Sequence, residues 1–160
     1  MSLNGLLEKS PATLPILQAT FGLERESLRI GKDHRIAQTD HPACLGSRSF
    51  HPYIQTDYSE AQLELITPIA HSTKEALRFL GALTDVAGRS IDKSEYLWPL
   101  SIPPKLCETD IHIAKLEDDY ERHYRMHLAD IYGKTLQSMS GIHFNMELGK
   151  DLVAALFQQS

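Results

Sequence analysis

The segment Phe21–Ile30, FGLERESLRI, constrains the fold more than any other stretch. It sets two acids, Glu24 and Glu26, two residues apart in a run that reads as a β-strand. Side chains at i and i+2 share a strand face, so both carboxylates point one way. Leu28 and Ile30 continue that face, while Arg25, Ser27 and Arg29 alternate onto the other. Two carboxylates within about 5 Å repel by roughly 1 kcal/mol in water and by several times that at an effective protein dielectric. Such a pair must protonate, meet arginines or bind a cation. A solvated strand face balanced by neighbouring arginines fits the same pattern.

More acid follows in Tyr53–Pro68, YIQTDYSEAQLELITP, where Asp57, Glu60 and Glu64 sit among β-branched and aromatic residues that favour strands. Asp57 and Glu64 are an odd number of residues apart, so one regular strand would send them to opposite faces. Either a bulge or bend falls between them, at Ser59–Gln62, or only one reaches a shared site. A third strand, Gly141–Leu148, puts His143, Asn145 and Glu147 on one face and Ile142, Phe144, Met146 and Leu148 on the other. His143 alone reads as a hydrogen-bonded structural residue. Beside an acidic sheet face it reads as a ligand. Carboxylates with one imidazole suit magnesium or manganese better than zinc, and phosphates commonly complete a magnesium shell, which points to phosphoryl transfer.

The chain resembles the glutamate-cysteine ligase (γ-glutamylcysteine synthetase) family of the bacterial class, in particular the ligase half of bifunctional glutathione synthetases. The matching stretches are FGLERESLRI, HPACLGSRSFHPYIQTDYSEAQLELITP at His41–Pro68, DVAGRSIDKSEYLWPLSIPP at Asp85–Pro104 and YGKTLQSMSGIHFN at Tyr132–Asn145. The resemblance implies an α+β, partial glutamine-synthetase-like fold: a curved antiparallel sheet with packed helices. It implies ATP-dependent joining of the γ-carboxylate of L-glutamate to the amine of L-cysteine through a γ-glutamyl phosphate, the first step of glutathione synthesis. Carried over by residue, it makes Glu24, Glu26, Asp57, Glu64 and His143 ligands of Mg2+, with Mn2+ as an alternative. It assigns Tyr58, Tyr124, Leu128 and Gln137 to the cysteine pocket, and Gln137, Met139 and Ser140 to ATP. Tyr124 and Leu128 also form an i,i+4 pair on one helix face, a spacing that ordinary helix packing would produce as well. No covalent enzyme nucleophile is assigned.

Ligases of this class are several times longer than 160 residues, so residues 1–160 are expected to be the amino-terminal portion of the catalytic domain, with the remaining ligase domain and any ATP-grasp domain absent. Weak or no activity is expected of this portion alone. A noncatalytic metal- or nucleotide-binding module, or a fragment that pairs with another ligase segment, are the alternatives. An incomplete sheet would favour self-association.

Charge and composition exclude other classes. A net charge of −5 argues against nonspecific nucleic-acid binding, and there is neither a Walker A loop nor a dinucleotide fingerprint. No apolar run approaches a membrane span, and the start lacks signal-peptide regions. Cys44 and Cys107 show no zinc spacing. A cytoplasmic protein with free thiols is the expectation.

The remaining elements follow from periodicity. Asn4–Lys9 begins a short helix broken by Pro11 and Pro15, and Gly31–Arg35 is a turn before a short strand at Ile36–Thr39. His41–Phe50 is a loop. Ser72 and Glu75 fit a capping box, opening an amphipathic helix through Ala76, Leu77, Leu80, Leu83, Ala87 and Ile91. Trp98–Pro104 is a packed connection. A helix is predicted over Ile113–Gln137, interrupted at Gly133, with Leu116, Tyr120, Tyr124, Leu128, Ile131 and Leu136 buried. Another apolar, helix-like pattern begins at Asp151–Phe157.

Overall fold

A computed structural model describes residues 19–103, 105–150, 153, 154 and 157. The expectation for Asn4–Lys9 lies outside them. Of Asp151–Phe157, the described Val153, Ala154 and Phe157 are helical. An antiparallel sheet is built around β1 (Thr20–Gly31), the predicted acidic strand, which spans 12 residues. Strand β3 (Gln62–Ile66) lies along one edge of β1, and β2 (Ile54–Thr56) lies outside β3. Along the other edge, β5 (Ile142–Glu147) pairs with Thr20–Arg25 and β4 (Glu95–Leu97) pairs with Arg29–Gly31. This open antiparallel sheet with helices against it is the α+β class expected.

The odd spacing of Asp57 and Glu64 is resolved by a full chain reversal. Strands β2 and β3 form a hairpin, with Ile54 opposite Leu65, Gln55 opposite Glu64 and Thr56 opposite Leu63. Asp57, two residues beyond Gln55, follows it onto the face of Glu64. The Asp57 N–H donates to the Gln62 carbonyl at 3.0 Å and closes the reversal. The bend expected at Ser59–Gln62 is thus the turn that leads into β3, closed by the Gln62 N–H on the Ser59 carbonyl at 2.9 Å.

One sheet face is covered by helix α1 (Thr73–Ser90). The Ser72 hydroxyl accepts the Glu75 N–H at 3.2 Å, and the Glu75 carboxylate accepts the His71 N–H at 2.8 Å. The return bond of the capping box thus lands one residue early. Ala87 and Ile91 pack with Ile54, Leu63, Leu65 and Leu45, and Ala76 packs with Leu23 and Ala70. Leu80 and Leu83 complete the stripe. Leu77, expected on this face, is 62% exposed, because its place on the helical wheel falls beyond the sheet's reach.

On the opposite face, Leu28 and Ile30 are fully buried with Ile36, Tyr58, Ala61 and Ile111. Each buried leucine or isoleucine contributes about 1.5–3 kcal/mol, so this end of β1 is firmly fixed. Helix α2 (Asp119–Tyr132) lies on this side, capped by the Asp118 carboxylate, which accepts the Glu121 N–H at 3.0 Å. The helix starts at Asp119, not Ile113, because Asp118 stops it from extending further back. Gly133, at φ 77°, separates it from the single turn α3 (Lys134–Gln137), as predicted. The predicted buried stripe is largely wrong. Tyr120, Tyr124, Ile131 and Leu136 are exposed, and the contacts with the core come from Leu128 and Ala129. Leu116 is buried, but ahead of the helix. Trp98 packs on the same core, although Leu100 and Ile102 in its segment stay exposed.

Ile36–Thr39 makes only the Ile30–Ile36 bridge, and Ala43–Leu45 forms a 3-10 turn inside the predicted loop. Cys44 and Cys107 are exposed free thiols. Among the described residues no helix is long and apolar enough to cross a membrane.

Candidate active site

The sheet gathers the predicted ligands onto one face from strands distant in sequence. Glu26 stands directly opposite Glu64 across the β1–β3 ladder, and Glu24 directly opposite His143 across the β1–β5 ladder. Leu28 and Ile30 occupy the covered end of this face. Glu24, Glu26, Asp57, Glu64, His143 and Asn145 occupy the open end.

Hydrogen bonds hold two of the acids. Glu24 meets His143 Nδ1 at 3.1 Å and accepts from Asn145 Nδ2 at 2.9 Å. Glu26 Oε2 accepts the Gly141 N–H at 3.0 Å and Gln62 Nε2 at 3.3 Å. Among the described residues no lysine or arginine forms an ion pair with Glu24, Glu26, Asp57 or Glu64. The arginine-balanced alternative is therefore not what this face adopts: Arg25 and Arg29 alternate away from it, as their odd positions require.

The electrostatic consequence is a set of reluctant carboxylates. Burial pushes Glu64 up to about 7, with the charges of Asp57, Glu24 and Glu26 adding to it. Burial also raises Glu26, against the opposing bond from Gly141, and raises Asp57, against the bond from the Tyr58 N–H and the charge of Arg125. His143 is raised chiefly by its bond to Glu24. Anionic oxygens crowded without a cation are the donor set a hard divalent ion takes, and magnesium needs only one or two protein carboxylates. The residues fit such an ion by chemistry. Among the described residues, no group of three or more His, Cys, Asp or Glu side chains is arranged to hold one.

The other predicted site residues are more scattered. Tyr58 is a core residue, 4% exposed, and its buried hydroxyl has no hydrogen-bond partner. Leu128 packs against the same cluster, but Tyr124 is 52% exposed and stands outside it. Gln137 is half-buried, Met139 exposed and Ser140 buried. The Ser140 N–H donates to the Ser101 carbonyl at 2.9 Å, while the Ser138 and Ser140 hydroxyls are buried without partners among the described residues. A cavity of about 370 Å³ between the β2 end and the start of α2 is lined by residues that include Gln55, Thr56, Phe50, Asp118, Glu121 and Arg125. Its walls include none of Tyr58, Tyr124, Leu128 and Gln137.

Sequence reasoning did not select Asn145, Gln62 or Arg125. Asn145 shares the His143 face by simple alternation and was within reach. Gln62 emerges only once the hairpin puts it on the Glu64 face, two residues before that acid. Arg125, whose Nε donates to the Asp57 carbonyl at 3.1 Å, needs the tertiary placement of α2.

Comparison with known proteins agrees with this geometry. The glutamate-cysteine ligase family model matches residues 5–160. The chain is 66% identical over 161 residues to the glutathione biosynthesis bifunctional protein GshAB of Streptococcus mutans, covering 100% of this chain and 21% of that protein. It is 42% identical over 159 residues to the GshAB of Pasteurella multocida, covering 99% and 21%. The chain thus spans about a fifth of the length of these relatives. Among solved structures, a bifunctional glutathione synthetase from Pasteurella multocida superposes with a TM-score of 0.85 at 44% identity, over 91% of this chain and 19% of that one. A glutamate–cysteine ligase from Francisella tularensis, determined in complex with AMP, superposes with a TM-score of 0.87 at 31% identity, over 91% and 30%. With its acidic sheet face, its fold and its sequence in agreement, the chain belongs to the glutamate-cysteine ligase family.

Proposed function

We propose that residues 1–160 are the amino-terminal portion of a glutamate-cysteine ligase catalytic domain, and that they supply the metal-binding face for ATP-dependent joining of L-glutamate to L-cysteine. The observation that carries this reading is the acidic face itself, on which Glu26, Asp57 and Glu64 crowd together with, among the described residues, no lysine or arginine paired to them.

In the reaction, an oxygen of the glutamate γ-carboxylate takes the γ-phosphoryl group of ATP and ADP leaves. The cysteine nitrogen then attacks the activated carbonyl carbon, phosphate departs with its bonding electrons, and the nitrogen loses a proton as the amide forms. Bound Mg2+ or Mn2+ would offset the charge that spreads over the phosphoryl oxygens. The chain's own contribution is positioning. Glu24, Glu26, Asp57, Glu64 and His143 are the proposed holders of the ion. Gln137, Met139 and Ser140 are the proposed nucleotide contacts, a reading supported by the unpartnered buried hydroxyls of Ser138 and Ser140. Tyr58, Tyr124, Leu128 and Gln137 are the proposed cysteine pocket, supported by the packing of Leu128 on the cluster that holds Tyr58.

The test is direct assay of γ-glutamylcysteine, with ADP release dependent on glutamate, cysteine and Mg2+, for these residues alone and within a ligase of the relatives' full length. Product from the full-length protein, lost with Glu26→Gln, is the expected result. Undiminished Mg2+ dependence and turnover in that variant would remove Glu26 from the metal site.

A further inference from the structure

We propose that Glu60, clamped by Arg48, is a positioning residue that holds the β2–β3 reversal so that Asp57 faces Glu64. The proposal rests on the metal-site reading above.

Asp57 lies at the end of a three-residue strand and reaches the Glu64 face only because the chain reverses over the next few positions. A reversal this short, with Asp57 preceding it, has little regular pairing of its own to set its geometry. Glu60 lies inside it and is 4% exposed, and its polar atoms are bonded in every direction. Its N–H donates to the His112 carbonyl at 2.8 Å, and its carbonyl accepts from Arg29 Nη2 at 2.9 Å. One carboxylate oxygen accepts from the His41 N–H at 2.8 Å and from Arg48 Nη1 at 2.5 Å. The other accepts from the same Arg48 nitrogen at 2.6 Å and from the Lys115 N–H at 2.8 Å.

Two separate segments therefore converge on one side chain, the loop before β2 and the stretch that leads into α2, while β1 reaches the Glu60 carbonyl through Arg29. Arg48 adds a second tie, since its carbonyl accepts the Thr56 N–H at 2.9 Å, one residue before Asp57. The reversal is further held by the Ala114 N–H on the Tyr58 carbonyl at 3.0 Å and by Arg125 on the Asp57 carbonyl at 3.1 Å. The Glu60 carboxylate is spent entirely on backbone N–H groups and Arg48, so it has no lone role left on the metal face. It acts on that face through Asp57. A buried carboxylate with four such bonds has a fixed position, and the residues that orient a ligand tune metal affinity nearly as strongly as the ligand does.

Mn2+ affinity of the 160-residue chain, read from the free-ion paramagnetic resonance signal, tests this, with circular dichroism to establish folding and amide exchange at Asp57 and Gln62 as a readout independent of metal. Glu60→Gln should weaken Mn2+ binding by about 10-fold, as expected for a residue that orients a ligand. It should also speed exchange at the Gln62-bonded Asp57 amide. Asp57→Asn should weaken binding by itself, and Asp57→Asn combined with Glu60→Gln should bind no more weakly than Asp57→Asn alone. Arg48→Lys keeps the charge and moves the donor nitrogen away from its seat between the two Glu60 oxygens, so it should shift affinity in the same direction by less, and it carries the test if Glu60→Gln does not fold. A folded Glu60→Gln with parental affinity, or an additive double variant, would overturn the clamp and leave the metal reading intact. No Mn2+ binding by the parent, or parental binding by Asp57→Asn, would overturn the metal reading and the clamp with it.

Discussion

Arg29 and Glu26 are three residues apart on β1, yet their surroundings are opposite in kind. Arg29 is 1% exposed and almost wholly satisfied: Nη1 meets Glu95 at 3.0 Å and the Thr39 hydroxyl, and Nη2 meets the carbonyls of Thr39 at 2.7 Å and Glu60 at 2.9 Å. On the other face Glu26, Asp57 and Glu64 are partly buried beside one another, among the described residues no lysine or arginine pairs with them, and burial raises all three. The same strand thus carries a completed ion pair and an uncompleted one. A buried charge held by its counter-ion is a structural element. A cluster whose charges burial and mutual repulsion both penalise must take up protons or a cation.

The largest effect should come from breaking the completed side. Arg29→Ala leaves the Glu95 carboxylate, 4% exposed, without its cation, and should lower unfolding stability by about 3–5 kcal/mol. Denaturant midpoints at constant slope would measure it. A loss below about 1 kcal/mol, the range of an exposed pair, would mean that the Arg29 network is solvated and that the contrast between the two faces is false.

Completing the uncompleted side should have the opposite sign. Mg2+ at about 100 times its dissociation constant should stabilise the parent chain by about 2.7 kcal/mol, because it binds the folded face and not the unfolded chain. Glu26→Gln should lose most of that gain. Equal stabilisation of parent and variant would locate the ion elsewhere.

How far this contrast was legible in the sequence differs between the faces. The acidic face was legible because strand alternation is local: Glu24 with Glu26, and His143 with Asn145, follow from period two alone. The turn at Asp57 was legible as a break but not as a hairpin, since the reversal is held by distant partners such as His41, Arg48 and Lys115. Arg29 was invisible as a buried cation. Its partners Thr39, Glu60 and Glu95 are spread along the chain, and no local pattern distinguishes it from Arg25, which shares its face of β1 and is only half-buried. Helix α2 misled for a different reason. Its apolar spacing is real, but apolar spacing does not say how much of a stripe its neighbours cover, and Tyr120, Tyr124 and Ile131 remain exposed.

The smallest effect, and the one that sharpens the contrast most, concerns Glu64. An acid raised by folding from its ordinary value of 4.5 to about 7 binds a proton in the folded state that the unfolded state has released, so stability falls as pH rises between those values. Below about 4.5 both states are protonated and Glu64→Gln should melt at the parental temperature. Through the window the variant should gain on the parent, and above about 7 it should hold a constant advantage, since glutamine cannot take on the charge that burial and Asp57 oppose. Added Mg2+ should then favour the parent, which keeps the carboxylate, and shrink that advantage. Melting curves across pH, with and without Mg2+, separate the cases. A variant less stable than the parent above pH 7 without the ion would mean that Glu64 is already compensated in the fold, and the two faces of β1 would then differ only in the sign of the charges they have paired.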